Sequence, residues 1–196
     1  EGWTSLTDYF QINGINMLRV INDENMRRLL IGSSRYFYYT DNDGATLEQS
    51  TGLDFLSDWG SVKRVIIKEN NRSIYLLANE WDYSAWHEVA AIYKSDDLGE
   101  TFTKIITLNE SAGMSSILGA DHYDIWTPRY FEGEIFLLHN DMFFKLTTTD
   151  ELEYIANIPV SGNGENLLTG GMGVNDPFFY AHIGERIYFS INGGVS

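Results

Sequence analysis

The sequence predicts an all-β fold: a β-propeller of about four consecutive four-stranded antiparallel blades. Three observations carry that expectation. Short runs rich in β-branched and aromatic residues fill the chain, bounded by Gly, Asn, Asp and Ser. The runs come in pairs, and the second run of each pair ends near Thr40, Ser95, Thr147 and Ser190, in steps of 55, 52 and 43 residues. The turn that follows these pairs repeats its chemistry. A period of about 40–50 residues with four strands per unit marks a propeller. A β-sandwich, the alternative for short strands, need not repeat its turns.

Taken in order, RRLLIGS is followed by RYFYYTDNDGATLEQ, RSIYLLANE by EVAAIYKSDDLGETFTKI, GEIFLLHN by DMFFKLTTTDELEYIANI, and DPFFYAHIG by ERIYFSINGGVS. A further strand follows each of the first three pairs. VKRVIIKEN and IWTPRYFEG supply a strand ahead of the second and third pairs. Only NDENMRRLL has room for a helical turn, and no stretch sustains a 3.6-residue apolar period over about 11 residues. The expected blades are 7–50, 51–108, 109–158 and 159–196 of one domain. The opening residues EGWTSL, with 1–6 as an outer-type strand, read like the continuation of SINGGVS. Two arrangements satisfy this reading: a small ring of 49 residues per blade closed by that strand, or part of a larger propeller. An open arc would expose strand edges, so further blades or a second copy are expected partners.

Composition narrows the function classes. The chain has 196 residues, 43% of them hydrophobic and 14% aromatic, which supports a packed domain. Thirteen Lys and Arg against 28 Asp and Glu give a net charge of −15. Nucleic acid and anionic membrane surfaces are therefore not expected as partners. No cysteine is present, which removes disulfides, zinc–thiolate sites and thiol nucleophiles. No apolar run approaches the roughly 20 residues of a membrane-spanning helix, and the first ten residues lack the basic and apolar regions of a signal peptide.

The turns SDDLGETF (95–102), TDNDGATL (40–47) and SINGGVS (190–196) share Ser/Thr-x-Asp/Asn-x-Gly-x-Thr/Ser, with an aromatic or aliphatic residue next in the first two. Asp97, Asn42 and Asn192 suit a side-chain acceptor that staples a turn by taking backbone N–H bonds. Gly44, Gly99 and Gly194 suit positive φ, and Phe102 suits an inward anchor. An EF-hand is excluded, because YTDNDG puts Tyr39 where the first Asp ligand belongs. The pattern resembles the Asp-box, or bacterial neuraminidase repeat, of sialidase, xyloglucanase and sortilin-type propellers. The third unit, TTTDELEY, has lost it. The resemblance implies that these turns are structural and lie away from the active face. It also implies a secreted or cell-surface protein of one of two kinds. One is a glycan-active propeller of the glycoside hydrolase type. The other is a non-catalytic propeller for binding, adhesion or assembly. A complete sialidase site is not expected, since only eight Arg occur and TPRY is not the required arginine motif.

Strand reversal puts the other loops on the face opposite these turns. The longest, NEWDYSAWHEV, holds Trp81, Asp82, Tyr83, Trp86, His87 and Glu88. DFLSDWG adds Asp54, Asp58 and Trp59, GADHYDIW adds Asp121, His122, Tyr123, Asp124 and Trp126, and a further turn adds His139, Asn140 and Asp141. Rings stack on sugar faces and carboxylates bind hydroxyls or carry acid/base hydrolysis. Trp81, Tyr83, Trp86, His87 and Tyr123 are accordingly the expected carbohydrate-binding residues. Asp82 or Glu88, with Asp121 or Asp124, is the candidate catalytic pair. Trp126 reads as core. The histidines lack tight ligand spacing, so no metal or cofactor is expected.

Overall fold

A computed structural model describes residues 14–22, 26–33, 36–54, 60–68, 72–83, 86–108, 123–126, 134–139, 141–159, 166–170, 178–183, 185–192 and 194. The described chain is all-β, in four antiparallel sheets. The first sheet holds β1 (Ile15–Asn22), β2 (Arg27–Ser33), β3 (Phe37–Thr40) and β4 (Glu48–Gln49). The second holds β5 (Ser61–Ile67), β6 (Ile74–Asp82), β7 (His87–Ser95) and β8 (Thr103–Thr107). The third holds β9 (Tyr123–Trp126), β10 (Ile135–His139), β11 (Met142–Leu146) and β12 (Leu152–Asn157). The fourth holds β13 (Asn166–Gly170), β14 (Phe179–Ile183) and β15 (Arg186–Ser190). Within every sheet, strands neighbour each other in chain order. Among the described residues no helix is long and apolar enough to cross a membrane.

The middle strands explain how the sheets stack. All of Ile74–Glu80 in β6 and all of β10 are buried, so both faces of these sheets are covered. Alternate residues serve opposite neighbours. Ile74, Leu76 and Ala78 join Leu30, Phe37 and Phe102 in a core between sheets one and two. Tyr75 and Leu77 join Ile125, Leu137 and Phe144 between sheets two and three. Phe136, Leu138 and Phe143 meet Leu168, Phe179 and Ala181 between sheets three and four. Each Leu, Ile or Phe among them that is removed from water contributes about 1.5–3 kcal/mol.

Three expectations need correction or extension. Of NDENMRRLL, where a helical turn has room, the described residues are mostly strand: Asn22 ends β1 and Arg27–Leu30 lies in β2, because Leu30 is drawn into the inter-sheet core. Two first strands, β1 and β13, go beyond the expected runs, and β9, expected from IWTPRYFEG, opens two residues earlier, at Tyr123. The opening residues 1–13 lie outside the described residues.

Candidate functional site

The repeated turns are built from side-chain bonds to the backbone. In the second sheet, the Ser95 hydroxyl donates to Asp97 Oδ1 at 2.7 Å and accepts from Gly99 N–H at 2.8 Å. Asp97 Oδ1 also accepts from Thr101 N–H at 2.9 Å. The first sheet reproduces this with Thr40, Asn42, Gly44 and Thr46 at 2.9, 3.1 and 2.9 Å. In the fourth, Ser190 donates to Asn192 Oδ1 at 2.8 Å and accepts from Gly194 N–H at 2.9 Å. Gly44, Gly99 and Gly194 have φ of 86°, 94° and 84°. Phe102 is buried edge-on against Phe37, centroids 5.3 Å apart. Burial pushes the Asp97 carboxyl up, but bonds from Thr101, Ser95 and Glu100 outweigh it and hold the group below its ordinary value.

These turns also couple the sheets. Buried Arg28 of β2 grips Asp41 with two bonds of 2.6 Å, reaches Glu100 at 3.0 Å, and donates to the Leu98 carbonyl at 3.0 Å. Its guanidinium lies 4.3 Å from the Tyr39 ring centroid. The bond from Arg28, opposed by partial burial, holds Asp41 below the usual carboxylate range. Asp150, in the third turn, takes Lys94 Nζ at 3.1 Å and the Tyr75 hydroxyl at 3.3 Å from the second sheet.

The aromatic loop is the β6–β7 hairpin. Its register pairs Trp81 with Glu88 and Asp82 with His87. The hairpin closes with Trp86 N–H donating to the Asp82 carbonyl at 2.8 Å. At its tip Tyr83 is 55% exposed and Trp86 is 77% exposed, with Trp86 at φ 56°. Trp81 and Asp82 are half-buried, and Glu88 is exposed. Cross-strand partners share a face and neighbours alternate. Trp81 and Glu88 therefore stand on the sheet-three side with Asn79, whose amide donates to Glu88 at 3.1 Å. Asp82 stands on the sheet-one side, in line with Glu80. Thus Asp82 and Glu88 do not converge.

Asp124 is engaged elsewhere. Its side chain, 3% exposed, pairs with Arg64 of β5 at 2.7 and 3.0 Å. It also accepts from Ile125 N–H at 3.0 Å and from Leu168 N–H of β13 at 2.6 Å. One carboxylate thus ties the first strands of three sheets, β5, β9 and β13. Tyr123 is the register partner of His139 in β9–β10, and Asp54 is exposed. Asp58, Trp59, Asp121, His122 and Asn140 lie outside the described residues.

The sequence reading passed over Glu80. It is buried at the base of the aromatic hairpin, accepts from the Tyr93 hydroxyl, and pairs with Lys104 Nζ at 2.7 Å. Burial, then the bond to Glu80, pushes the Tyr93 phenol upward. An acidic residue after the apolar run IYLLAN is the available signal: on β6 it can be buried only with partners on its own face. Among the described residues no three His, Asp or Glu side chains cluster in a way that suits a metal ion. No protein-family model matches the chain, and no curated protein matches it either.

Proposed function

We propose that this chain is an Asp-box β-propeller, or an arc of one, that works outside the cell as a non-hydrolytic carbohydrate-binding module. The propeller reading is supported by four sequential antiparallel meanders stacked face to face, with serine- or threonine-anchored turns after each third strand.

One observation carries the binding reading: Trp86 sits at the tip of the longest hairpin, largely exposed, in a left-handed conformation. A bulky non-glycine residue there costs about 1 kcal/mol or more. An exposed indole recovers little of that by packing. Stacking on a sugar ring, with Tyr83 alongside, gives the pair a use. A hydrolase needs two carboxyls about 5–5.5 Å or about 6.5–9.5 Å apart across the substrate. Asp82 and Glu88 flank opposite faces of one sheet, and Asp124 is committed to Arg64 and two amides. Among the described residues that distribution favours binding over hydrolysis. The net charge of −15 favours a neutral or cationic glycan.

The test is calorimetry against a panel of neutral β-glucans, mannans and chitooligosaccharides. Tyr83→Ala/Trp86→Ala is expected to weaken the best ligand at least tenfold with an unchanged melting temperature. Equal affinity in parent and double variant overturns the site. Release of reducing ends from any of these glycans overturns the non-hydrolytic reading.

A further inference from the structure

Between Arg72 and Lys94 the β6–β7 hairpin carries no Lys or Arg, but it carries Glu80, Asp82 and Glu88. The fold treats these three carboxylates differently. Glu80 is buried and offset by Lys104 of β8 at 2.7 Å. Asp82 stands on the sheet-one side, paired in register with His87. Glu88 is exposed on the sheet-three side, where its Oε2 accepts from the Asn79 amide at 3.1 Å. Asn79 is buried, so a fixed donor orients the carboxylate. Among the described residues no cation pairs with Glu88.

Trp81 is the cross-strand partner of Glu88. Residues paired in this way share a face, with Cβ atoms about 4.5–5.5 Å apart. Trp81 is half-buried, which leaves part of the side chain open to solvent. An indole beside an uncompensated carboxylate suits one ligand group above others. A protonated amine is drawn to the ring by its quadrupole and to the carboxylate by charge. A neutral hydroxyl gains only a hydrogen bond there. Trp81 lies two residues before Tyr83, and Glu88 two residues after Trp86. The pair therefore sits about 6.6 Å along the strands from the hairpin tip, roughly the length of one sugar unit.

We propose that Trp81 and Glu88 form a subsite for a protonated amino sugar, so that the favoured ligand is a glycan of glucosamine-type units with free amines. The inference rests on the hairpin tip being the glycan platform, and it names which glycan that platform takes. Tyr83 and Trp86 stack on ring faces whatever the charge of the sugar. The Trp81–Glu88 pair reads the amine of the neighbouring unit. Acetylation of that amine removes its charge, and with it both attractions.

Calorimetry at about pH 5.5, where amines keep their proton, is to compare a glucosamine hexamer with its N-acetylated form and with hexalysine. The glucosamine hexamer is expected to bind at least about fivefold more tightly than the N-acetylated one. Glu88→Gln keeps an acceptor for Asn79 and removes only the charge. It is expected to abolish the preference, with the N-acetylated hexamer held within about twofold and the melting temperature unchanged. Glu153→Gln, which removes the same charge from an exposed position on β12, is expected to keep the preference. Equal affinity for the two hexamers overturns the amine subsite and leaves the glycan platform standing. A preference that survives Glu88→Gln, or falls as far in Glu153→Gln, does the same. Binding of neither hexamer overturns both readings. Hexalysine bound as tightly as the glucosamine hexamer, and unaffected by Tyr83→Ala/Trp86→Ala, overturns a sugar as the carrier of the amine.

Discussion

At Asp97 a single carboxylate oxygen takes two bonds, from the Ser95 hydroxyl and Thr101 N–H, and Asn42 Oδ1 takes the same two in the first sheet. An amide oxygen therefore suffices for the geometry. Asp97→Asn is expected to cost well under about 1 kcal/mol and Asp97→Ala about 1–2 kcal/mol. Urea unfolding of both variants checks this, and equal losses would mean that charge, not the staple, matters. Asp97 and Asp41 both titrate below their ordinary value in the folded state. Their contribution is thus complete above about pH 4 and is lost as pH falls through the lowered folded values. The sign of that loss identifies the groups, since a raised carboxyl would stabilise on acidification. The third turn shows a limit of motif reading. TTTDELEY lacks the Gly and the stapling Asp, yet Thr147 Oγ1 accepts from Glu151 N–H at 3.1 Å and Asp150 adopts φ 60°. Asp tolerates the left-handed region better than most residues, so half the turn survives where the pattern is gone.

Among the elements, the first strands of sheets two, three and four share one group, Asp124. Asp124→Ala removes the acceptor for two buried amides and the partner of Arg64, which is partly exposed and loses less. A loss on the order of 2–4 kcal/mol is expected. Hydrogen exchange gives the specific reading: the Leu168 amide should lose protection far more than amides in β6–β7. Uniform loss across the sheets would mean general destabilisation only. Two first strands, β1 and β13, were the hardest to read. β2–β3, β6–β7, β10–β11 and β14–β15 announce themselves as long apolar runs, buried on both faces in β6 and β10. β13 is a five-residue run set among Gly and Asn, so turn signals swamp it. β1 carries Leu18, Arg19 and Val20 exposed, which blurs its alternation. The hairpin tip was legible because Trp and Tyr in a loop lack packing duty. The separation of Asp82 from Glu88 was not, since it depends on the register of β6 against β7.

For the whole molecule, 28 acidic against 13 basic side chains set a repulsive field that the local pairs only partly offset. Arg28, Arg64, Lys94, Lys104 and Lys145 are already held by carboxylates. Arg28 and Lys94 are largely shielded, with side chains 5% and 20% exposed. Salt therefore screens the long-range repulsion between exposed acids more than it weakens these pairs, because at 0.1 M exposed charges more than about 10 Å apart are largely screened and shielded pairs are screened least. At the alkaline end, Tyr39 is pushed up to about 12, first by its bond to Glu48 and then by burial. Tyr75 is also pushed up to about 12, first by burial and then by the charge of Asp150. Raised folded values contribute stability below the ordinary phenol range near 10, and that stability is lost as pH climbs toward about 12. Between these limits charge balance governs. At pH 7, sodium chloride from about 0.02 to about 0.5 M is expected to raise the melting temperature by roughly 2–6 °C, on the order of 1–2 kcal/mol for a chain of this size. The same salt should leave the Arg28–Asp41 pair intact, so Arg28→Met should destabilise equally at both ends of the series. A melting temperature that falls with salt would mean that exposed ion pairs, and not net repulsion, dominate the electrostatics of the fold.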